Sequence, residues 1–338
     1  MRAVGFEHGG PIDRDDALID LELPDPVAAG RDLLVEVRGV AVNPVDVLIR
    51  GRAARTVDGV QILGWDASGV VRTVGPDVTL FRPGDEVAYS GTILRPGSDQ
   101  EFHLIDERLV GRKPRCLDWA EAAALPLTGV TAWEMLFDRL DVRRPVPGAA
   151  PALLIIGGAG GVGSMAIQLA RQLTDLVVIA SASRPETRAW IENLGAHHVI
   201  DHRQPMSPQL AALGLGLPGF VFSTTHTVSH VLDIAELIAP EGRFGLIDNP
   251  PTLDVVPFKG KSCSIHWELM YTRSTYETLD MAEQGRIVSR IADLADEGRL
   301  RSTLTERLSP INAANLKLAH AMVESGTMRG KVALEGWA

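Results

Sequence analysis

Cysteine is almost absent from this chain. Cys116 and Cys263 are the only two among 338 residues. Two distant cysteines make neither a disulfide framework nor a four-cysteine zinc lobe, and a reducing, cytoplasmic setting suits them best. No apolar run reaches the length that spans a bilayer. The opening Met1-Arg2-Ala3-Val4-Gly5-Phe6-Glu7 lacks the apolar core of a signal peptide and reads as a first strand. Positive charge is in deficit, with 33 Lys and Arg against 43 Asp and Glu and a formal net charge of −10. That balance argues against nucleic acid or an anionic membrane as the main partner. Repeats, low-complexity tracts and long linkers are missing too. What remains is an ordinary soluble composition, 45% hydrophobic and 22% charged. The chain is longer than one core usually spans, so two closely packed domains are expected.

The first part of the chain holds short strand-like runs broken by Gly, Pro and Asp. Leu33-Leu34-Val35-Glu36-Val37-Arg38-Gly39-Val40-Ala41-Val42 stops at Asn43-Pro44. Gly64-Trp65-Asp66-Ala67-Ser68-Gly69-Val70-Val71 and Phe81-Arg82-Pro83-Gly84-Asp85-Glu86-Val87-Ala88-Tyr89 follow. The pattern predicts an all-β, barrel-like unit. Residues 118–140 turn helical: Asp118 can cap a helix with Glu121 at the third position beyond it, and Leu127 to Leu140 continues as a second helical segment. After the break at Pro145-Val146-Pro147-Gly148 the chain alternates. Ala152–Ile156, Leu176–Ala180, His198–Ile200, Phe220–Phe222, Phe244–Ile247 and Cys263–Trp267 read as strands. Helical stripes lie between them, such as Val162, Ala166, Leu169 and Leu173. Continuous apolar strands alternating with helices predict a parallel sheet covered on both faces. Arg286–Leu294 and Asn312–Val323 are amphipathic helices, and Val332–Leu334 is a last short strand.

The strongest local signal is Leu153-Leu154-Ile155-Ile156-Gly157-Gly158-Ala159-Gly160-Gly161-Val162-Gly163. Gly158, Gly160 and Gly163 stand at G-x-G-x-x-G spacing between an apolar strand and a helical stripe. Such glycines allow a tight turn, close approach of backbone N–H groups to a pyrophosphate, and close helix–strand packing. The helix N-terminus adds free N–H groups and a partial positive charge. Folds that prefer NAD carry an acid at the end of the second strand to hold the ribose 2′-hydroxyl. Here that strand ends Ala180-Ser181-Ala182-Ser183-Arg184-Pro185, with no acid before Glu186. Ser183 can donate to a 2′-phosphate and Arg184 can offer it a charge-assisted fork. NADPH is therefore expected over NADH.

Several stretches together resemble a known family. They are Asn43-Pro44-Val45-Asp46, Gly64-Trp65-Asp66-Ala67-Ser68-Gly69, Arg82-Pro83-Gly84-Asp85-Glu86-Val87, Ala122-Ala123-Ala124-Leu125-Pro126-Leu127-Thr128, Gly157 to Gly163 with Gln168-Leu169-Ala170-Arg171, Leu194-Gly195-Ala196-His197-His198-Val199-Ile200-Asp201, and Gly330-Lys331-Val332. Their order and spacing resemble the medium-chain dehydrogenase/reductase superfamily over essentially the whole chain. The nearest branch is that of zinc-type alcohol dehydrogenase-like proteins, beside NADPH:quinone oxidoreductases. The resemblance implies an α/β chain: a GroES-like β-barrel catalytic domain over 1–125, a Rossmann doubly wound cofactor domain over 126–268, and a segment over 269–338 that returns to the first. It implies hydride transfer, and commonly a homodimer. By motif position it puts Asn43, Asp46 and Thr128 around the nicotinamide, and Gly158, Gly160, Gly161, Val162 and Gly163 at the pyrophosphate. Ser183, Arg184 and His202 fall near the adenosine phosphate. Thr224, Thr225 and Ile247 fall in the loops past the fourth and fifth strands.

Zinc-dependent relatives carry a cysteine where this chain has Asn43, and a His-Glu pair where it has Trp65-Asp66. Asparagine is a poor zinc ligand and tryptophan is none. His226 and His230, four apart, and Cys263 and His266, three apart, read as coincidental pairs. No metal site is expected. Without a strong Lewis acid, simple alcohol oxidation is disfavoured. Reduction of a quinone or an activated α,β-unsaturated carbonyl asks less, since the acceptor is already electron-poor and the protein mainly positions the cofactor. Tyr89 could donate a proton or be a barrel tyrosine, and Trp65 could stack on a quinone or fill the core. Asp46 could be a structural hydrogen-bonding residue beside Pro44. The alternatives are a zinc-dependent alcohol dehydrogenase, and an NADPH-binding sensor or RNA-binding protein without turnover. Loops around 50–60, 91–101 and 270–276 shape the substrate pocket.

Overall fold

The computed structural model describes residues 1–52 and 59–337. The pocket loop expected over 50–60 therefore lies partly outside the described residues. In chain order come β1 (Arg2–Phe6), β2 (Ile19–Glu22), β3 (Asp32–Val42), α1 (Pro44–Gly51), β4 (Gln61–Ile62), β5 (Ala67–Val74), β6 (Glu86–Tyr89), β7 (Phe102–Asp106), β8 (Val110–Arg112), α2 (Trp119–Ala123) and α3 (Pro126–Trp133). Then follow β9 (Ala150–Ile156), α4 (Gly161–Leu173), β10 (Val177–Ser181), α5 (Pro185–Asn193), β11 (His198–Ile200), α6 (Met206–Ala212), β12 (Pro218–Ser223), α7 (Thr227–Leu237), β13 (Arg243–Leu246) and β14 (Ser264–Trp267). The chain closes with α8 (Thr272–Thr275), α9 (Glu283–Asp296), β15 (Leu304–Leu308), α10 (Ala313–Glu324) and β16 (Lys331–Glu335).

These elements form two compact units, Met1–Val130 with the segment from Tyr271 onward, and Thr131–Met270. The breaks expected from the sequence were 125/126 and 268/269; the structure divides the chain within α3 and just ahead of Tyr271. In the first unit β3 is the spine. It pairs antiparallel with β5, β7 and β16. Its alternation buries Leu33, Val35 and Val37 completely, as expected of a strand with one face on a core. The sheet runs β15-β16-β3-β5-β6-β8 with β7 on β3, so the last strands of the chain pair with one of the first. Helix α2 starts as its sequence predicts: Asp118 accepts from the Glu121 N–H at 2.9 Å. The second helical segment is α-helical only to Trp133 and widens into a π-helix over Glu134–Arg139.

The second unit is a parallel sheet in the order β11-β10-β9-β12-β13-β14. That is the doubly wound order, with the switch point between β9 and β12. β9 is central, and Ala152–Ile156 are all buried, because helices cover both faces of a parallel sheet. Leu154 lies in one buried cluster with Ile179, Val221, Ile234 and Phe244. Truncating it leaves a cavity that close packing cannot refill. Leu154→Ala should lower the unfolding free energy by about 3 kcal/mol, read as an earlier urea midpoint; an unchanged midpoint would contradict this core.

Candidate functional site

The first unit has a polar centre inside its core. The register of β16 on β3 pairs Val332 with Val42, so one step further sets Lys331 beside Asn43. The Lys331 ammonium, 4% exposed, donates to the Val42 carbonyl at 3.0 Å, to Asp66 Oδ2 at 3.1 Å and to Asn43 Oδ1. The Asn43 amide donates to the same Asp66 oxygen at 2.9 Å. The other Asp66 oxygen accepts the Leu127 N–H at 2.7 Å. Every polar atom of the Lys331–Asp66 pair that this geometry aims inward has a partner, the condition for a buried pair to be tolerated. Burial pushes the Asp66 carboxyl up, and Lys331 pulls it back.

Asp46 stands on the first turn of α1 and accepts two backbone N–H groups, from Asn43 at 2.7 Å and Gly64 at 3.0 Å. Burial outweighs both bonds, and its carboxyl is pushed up to about 7. Gly64 has φ +95°, and a Cβ there would lie 2.5 Å from Asp99 Oδ1; glycine is what lets the chain pass. Asp99 is held well above the usual carboxylate range by burial and by Asp46. Tyr271 is 3% exposed and meets Trp65 edge-on, ring centroids 6.4 Å apart. Burial first, then the charges of Asp46 and Asp66, hold its phenol protonated, with Ser90 acting the other way.

The second unit has the glycine turn. Gly157, with φ +79°, makes the tight bend, and its N–H donates to Ser181 Oγ at 3.1 Å. A Cβ on Gly163 would fall 2.4 Å from the Gly157 carbonyl, and one on Gly158 2.9 Å from Ala180 Cβ, so both glycines serve close packing. Gly160 is the open one, with nothing nearer than 3.7 Å. The first bond of α4 runs from the Ser164 N–H to the Gly160 carbonyl at 2.9 Å. The N–H groups of Gly161, Val162 and Gly163 therefore have no carbonyl within the helix. An open glycine before free N–H groups at the positive end of a thirteen-residue helix fits a pyrophosphate. Thr224 Oγ1 donates to the Ile156 carbonyl at 2.9 Å, which ties the loop after β12 to this turn.

The residues predicted from the sequence divide between these places. Asn43, Asp46 and Thr128 lie in the first unit; the Thr128 hydroxyl turns back to the Ala124 and Leu125 carbonyls, each at 3.4 Å. Gly158, Gly160, Gly161, Val162, Gly163, Ser183, Arg184, His202, Thr224, Thr225 and Ile247 lie in the second. Arg184 forms an ion pair with Glu186 at 3.2 Å, an exposed contact of the kind that exchanges at little cost. Tyr89 is fully buried, stacked on His103 with its hydroxyl 3.0 Å from Nδ1, and is a barrel tyrosine. Trp65 fills the core, its indole N–H on the Thr92 carbonyl at 3.0 Å. Sequence reasoning quoted Lys331 and Ser181 without giving either a site role, and named the pocket loops 91–101 and 270–276 without singling out Asp99 or Tyr271 in them.

Comparison with known proteins matches residues 29–124 to the family described as alcohol dehydrogenase GroES-like domain, and residues 161–284 to that described as zinc-binding dehydrogenase. A zinc-type alcohol dehydrogenase-like protein of Staphylococcus aureus (strain MSSA476) is 34% identical over 336 residues, 99% of this chain and 99% of its own. A crystal structure from Rhizobium etli CFN 42, provisionally described as a zinc-dependent alcohol dehydrogenase protein, shares 64% identity with a TM-score of 0.98, covering 100% of this chain and 98% of its own. Escherichia coli quinone oxidoreductase, crystallised with NADPH, has a TM-score of 0.81 at 20% identity over 99% of this chain and 100% of its own, a likeness of fold.

The zinc in those descriptions can be tested on the donor set. Among the described residues no group of three His, Cys, Asp or Glu side chains could hold a metal ion. An ammonium already sits on Asn43 and Asp66, and the Trp65 nitrogen is a donor with nothing to give a metal. These residues do not fit zinc. They do set a pH dependence. A carboxyl whose folded pKa lies above its unfolded one stabilises the fold in acid, and that stability fades as pH rises through the folded value. Asp46 should thus cost the wild type up to about 1.4 kcal/mol per pH unit between roughly pH 4 and 7. Asp46→Asn should flatten that part of the stability–pH profile in urea denaturation; parallel profiles for the two proteins would contradict it.

Proposed function

Because the chain belongs to the medium-chain dehydrogenase/reductase superfamily, an oxidoreductase family, we propose that it is an NADPH-dependent reductase. Its acceptor is a quinone or an activated α,β-unsaturated carbonyl, and it works without zinc. One observation carries the reading: the positive charge at the polar centre of the first unit is the chain's own Lys331, bonded to Asn43 and Asp66. An ammonium fixed in this way orients hydrogen bonds, but it is not a Lewis acid that could drop the pKa of an alcohol. An electron-poor acceptor does not need one.

When bound, the reduced nicotinamide supplies the hydride. The chain's residues do the rest. Gly161, Val162 and Gly163 offer backbone N–H groups to the pyrophosphate, with Gly160 leaving the approach open and Gly158 allowing the close packing. Ser183, Arg184 and His202 are assigned to the adenosine phosphate, where no acid stands at the end of β10 to repel it. Thr224, Thr225 and Ile247 are assigned to the loops along the cofactor. Asn43, Asp46 and Thr128 are assigned to the substrate side. The phenol assigned as proton donor is Tyr271 rather than Tyr89, since the Tyr89 hydroxyl is taken up by His103. A homodimer is the proposed assembly.

Oxidation of NADPH should proceed with naphthoquinone-type acceptors, should fail with simple alcohols run in reverse, and should survive prolonged treatment with a zinc chelator. Chelator-sensitive alcohol oxidation would overturn the reading in favour of a zinc enzyme. Tight NADPH binding without turnover on a broad acceptor panel would overturn it in favour of a sensor.

A further inference from the structure

Helix α1 in the first unit has little apolar anchorage. Val45, Val47 and Ile49 are half-buried and Leu48 is exposed. Its buried residues are Asp46 and Arg50, an acid and a base four apart and therefore on one face. At the N-terminal end, Asn43 and Asp46 belong to the polar centre described above. At the C-terminal end, Arg50 is 1% exposed and its guanidinium reaches three partners. Nε donates to His320 Nδ1 at 3.2 Å, and the two terminal nitrogens donate to the Gly10 carbonyl and to the Glu324 carboxylate. The Gly10 N–H returns a bond to the Arg50 carbonyl at 2.9 Å, and a Cβ on Gly9 would lie 2.7 Å from that same oxygen. His320 and Glu324 stand on α10, whose Ala313 N–H donates to Asp20 at 2.8 Å. Strand β16, which carries Lys331, is the next element after α10. The returning segment thus grips α1 at both ends, through Lys331 on Asn43 and through Arg50.

We propose that Arg50 is a positioning residue for Asn43 and Asp46: it sets where the first turn of α1 stands, and with it the alignment of the acceptor. This rests on the reading above that both residues lie on the substrate side. A planar fork of donors suits the task, because it fixes direction as well as distance. The helix transmits the effect, since Arg50 lies one turn, about 6 Å, along the axis from Asp46. A slide or rotation of about 1 Å is enough to spoil a reactive alignment. His320 acts as an acceptor: the Arg50 N–H needs the Nδ1 lone pair, so the ring is neutral and carries its proton on Nε2. Burial first, and then the Arg50 charge, push His320 down to about 3, so this grip does not titrate near neutrality. The titratable and charged groups that face Asp46 are Lys331, Asp66, Asp99 and Tyr271. Burial is the largest influence on Asp46. A loosened helix that admits water therefore lowers its pKa toward the ordinary carboxylate range.

The test crosses two substitutions with Asp46→Asn in the full chain. Arg50→Lys keeps the charge but loses the fork, and Glu324→Gln alters a partner that is 31% exposed. Urea denaturation between about pH 4 and 8 gives the effect of Asp46→Asn in each background, and titrations of other groups cancel in the cycle. Arg50→Lys should move the Asp46 titration down by about one pH unit, and Glu324→Gln should move it less in the same direction. With a naphthoquinone-type acceptor, Arg50→Lys should lower kcat about tenfold and leave NADPH affinity unchanged. An Asp46 titration unmoved in both variants, or a kcat unmoved in both, would make Arg50 a structural arginine and overturn the proposal. Should Arg50→Lys fail to fold, Glu324→Gln decides by the same two readouts. Absence of wild-type turnover on every acceptor would overturn the functional reading instead, and the Asp46 titration then decides by itself whether Arg50 sets α1.

Discussion

The contact between Lys331 and Asp66 is the constraint around which the first unit is arranged. A buried ammonium and carboxylate are tolerated only when their hydrogen bonds are met, and meeting them fixes much else. Asn43 must turn its carbonyl to the lysine and its amide to the aspartate. Leu127 must bring its backbone N–H to Asp66. β16, near the end of the chain, must lie on β3 in one register only, because a one-residue slip would turn Lys331 out of the centre. The pair therefore stitches the returning C-terminal segment to the N-terminal barrel. It also sets the field in which Asp46 and Tyr271 titrate.

The second unit answers to a different constraint, close approach of backbone. Gly163 has no room for a side chain against Gly157, and Gly158 none against β10. Packing that tight brings the first turn of α4 to the edge of the sheet, where its free N–H groups can meet an anion. Ser181 extends the same arrangement by holding the glycine turn on one side and His202 on the other. Packing and ligand chemistry are thus served by the same few atoms.

Much of this was legible in the sequence because it is local. The apolar run ending in glycines foretold β9 and α4, and Asp118 with Glu121 foretold the start of α2. Asn43 and Asp46 were legible as a pair because they sit three apart on one turn. The lysine was not, since Lys331 reaches Asn43 only through the pairing of strands from opposite ends of the chain. Tyr271 stood in a stretch recognised only as a loop, so Tyr89 was taken for the one candidate phenol. The tight bend falls at Gly157, one residue ahead of the spaced motif. What the sequence hid was long-range register, which no local spacing encodes.

The central claim is that an ammonium of the chain, and no metal, supplies the cation of this site. Elemental analysis of untagged protein purified from zinc-supplemented cells tests it most directly. The account predicts zinc far below one atom per chain in fully active protein. One tightly held zinc per chain in the first unit, lost together with activity on chelation, would contradict it.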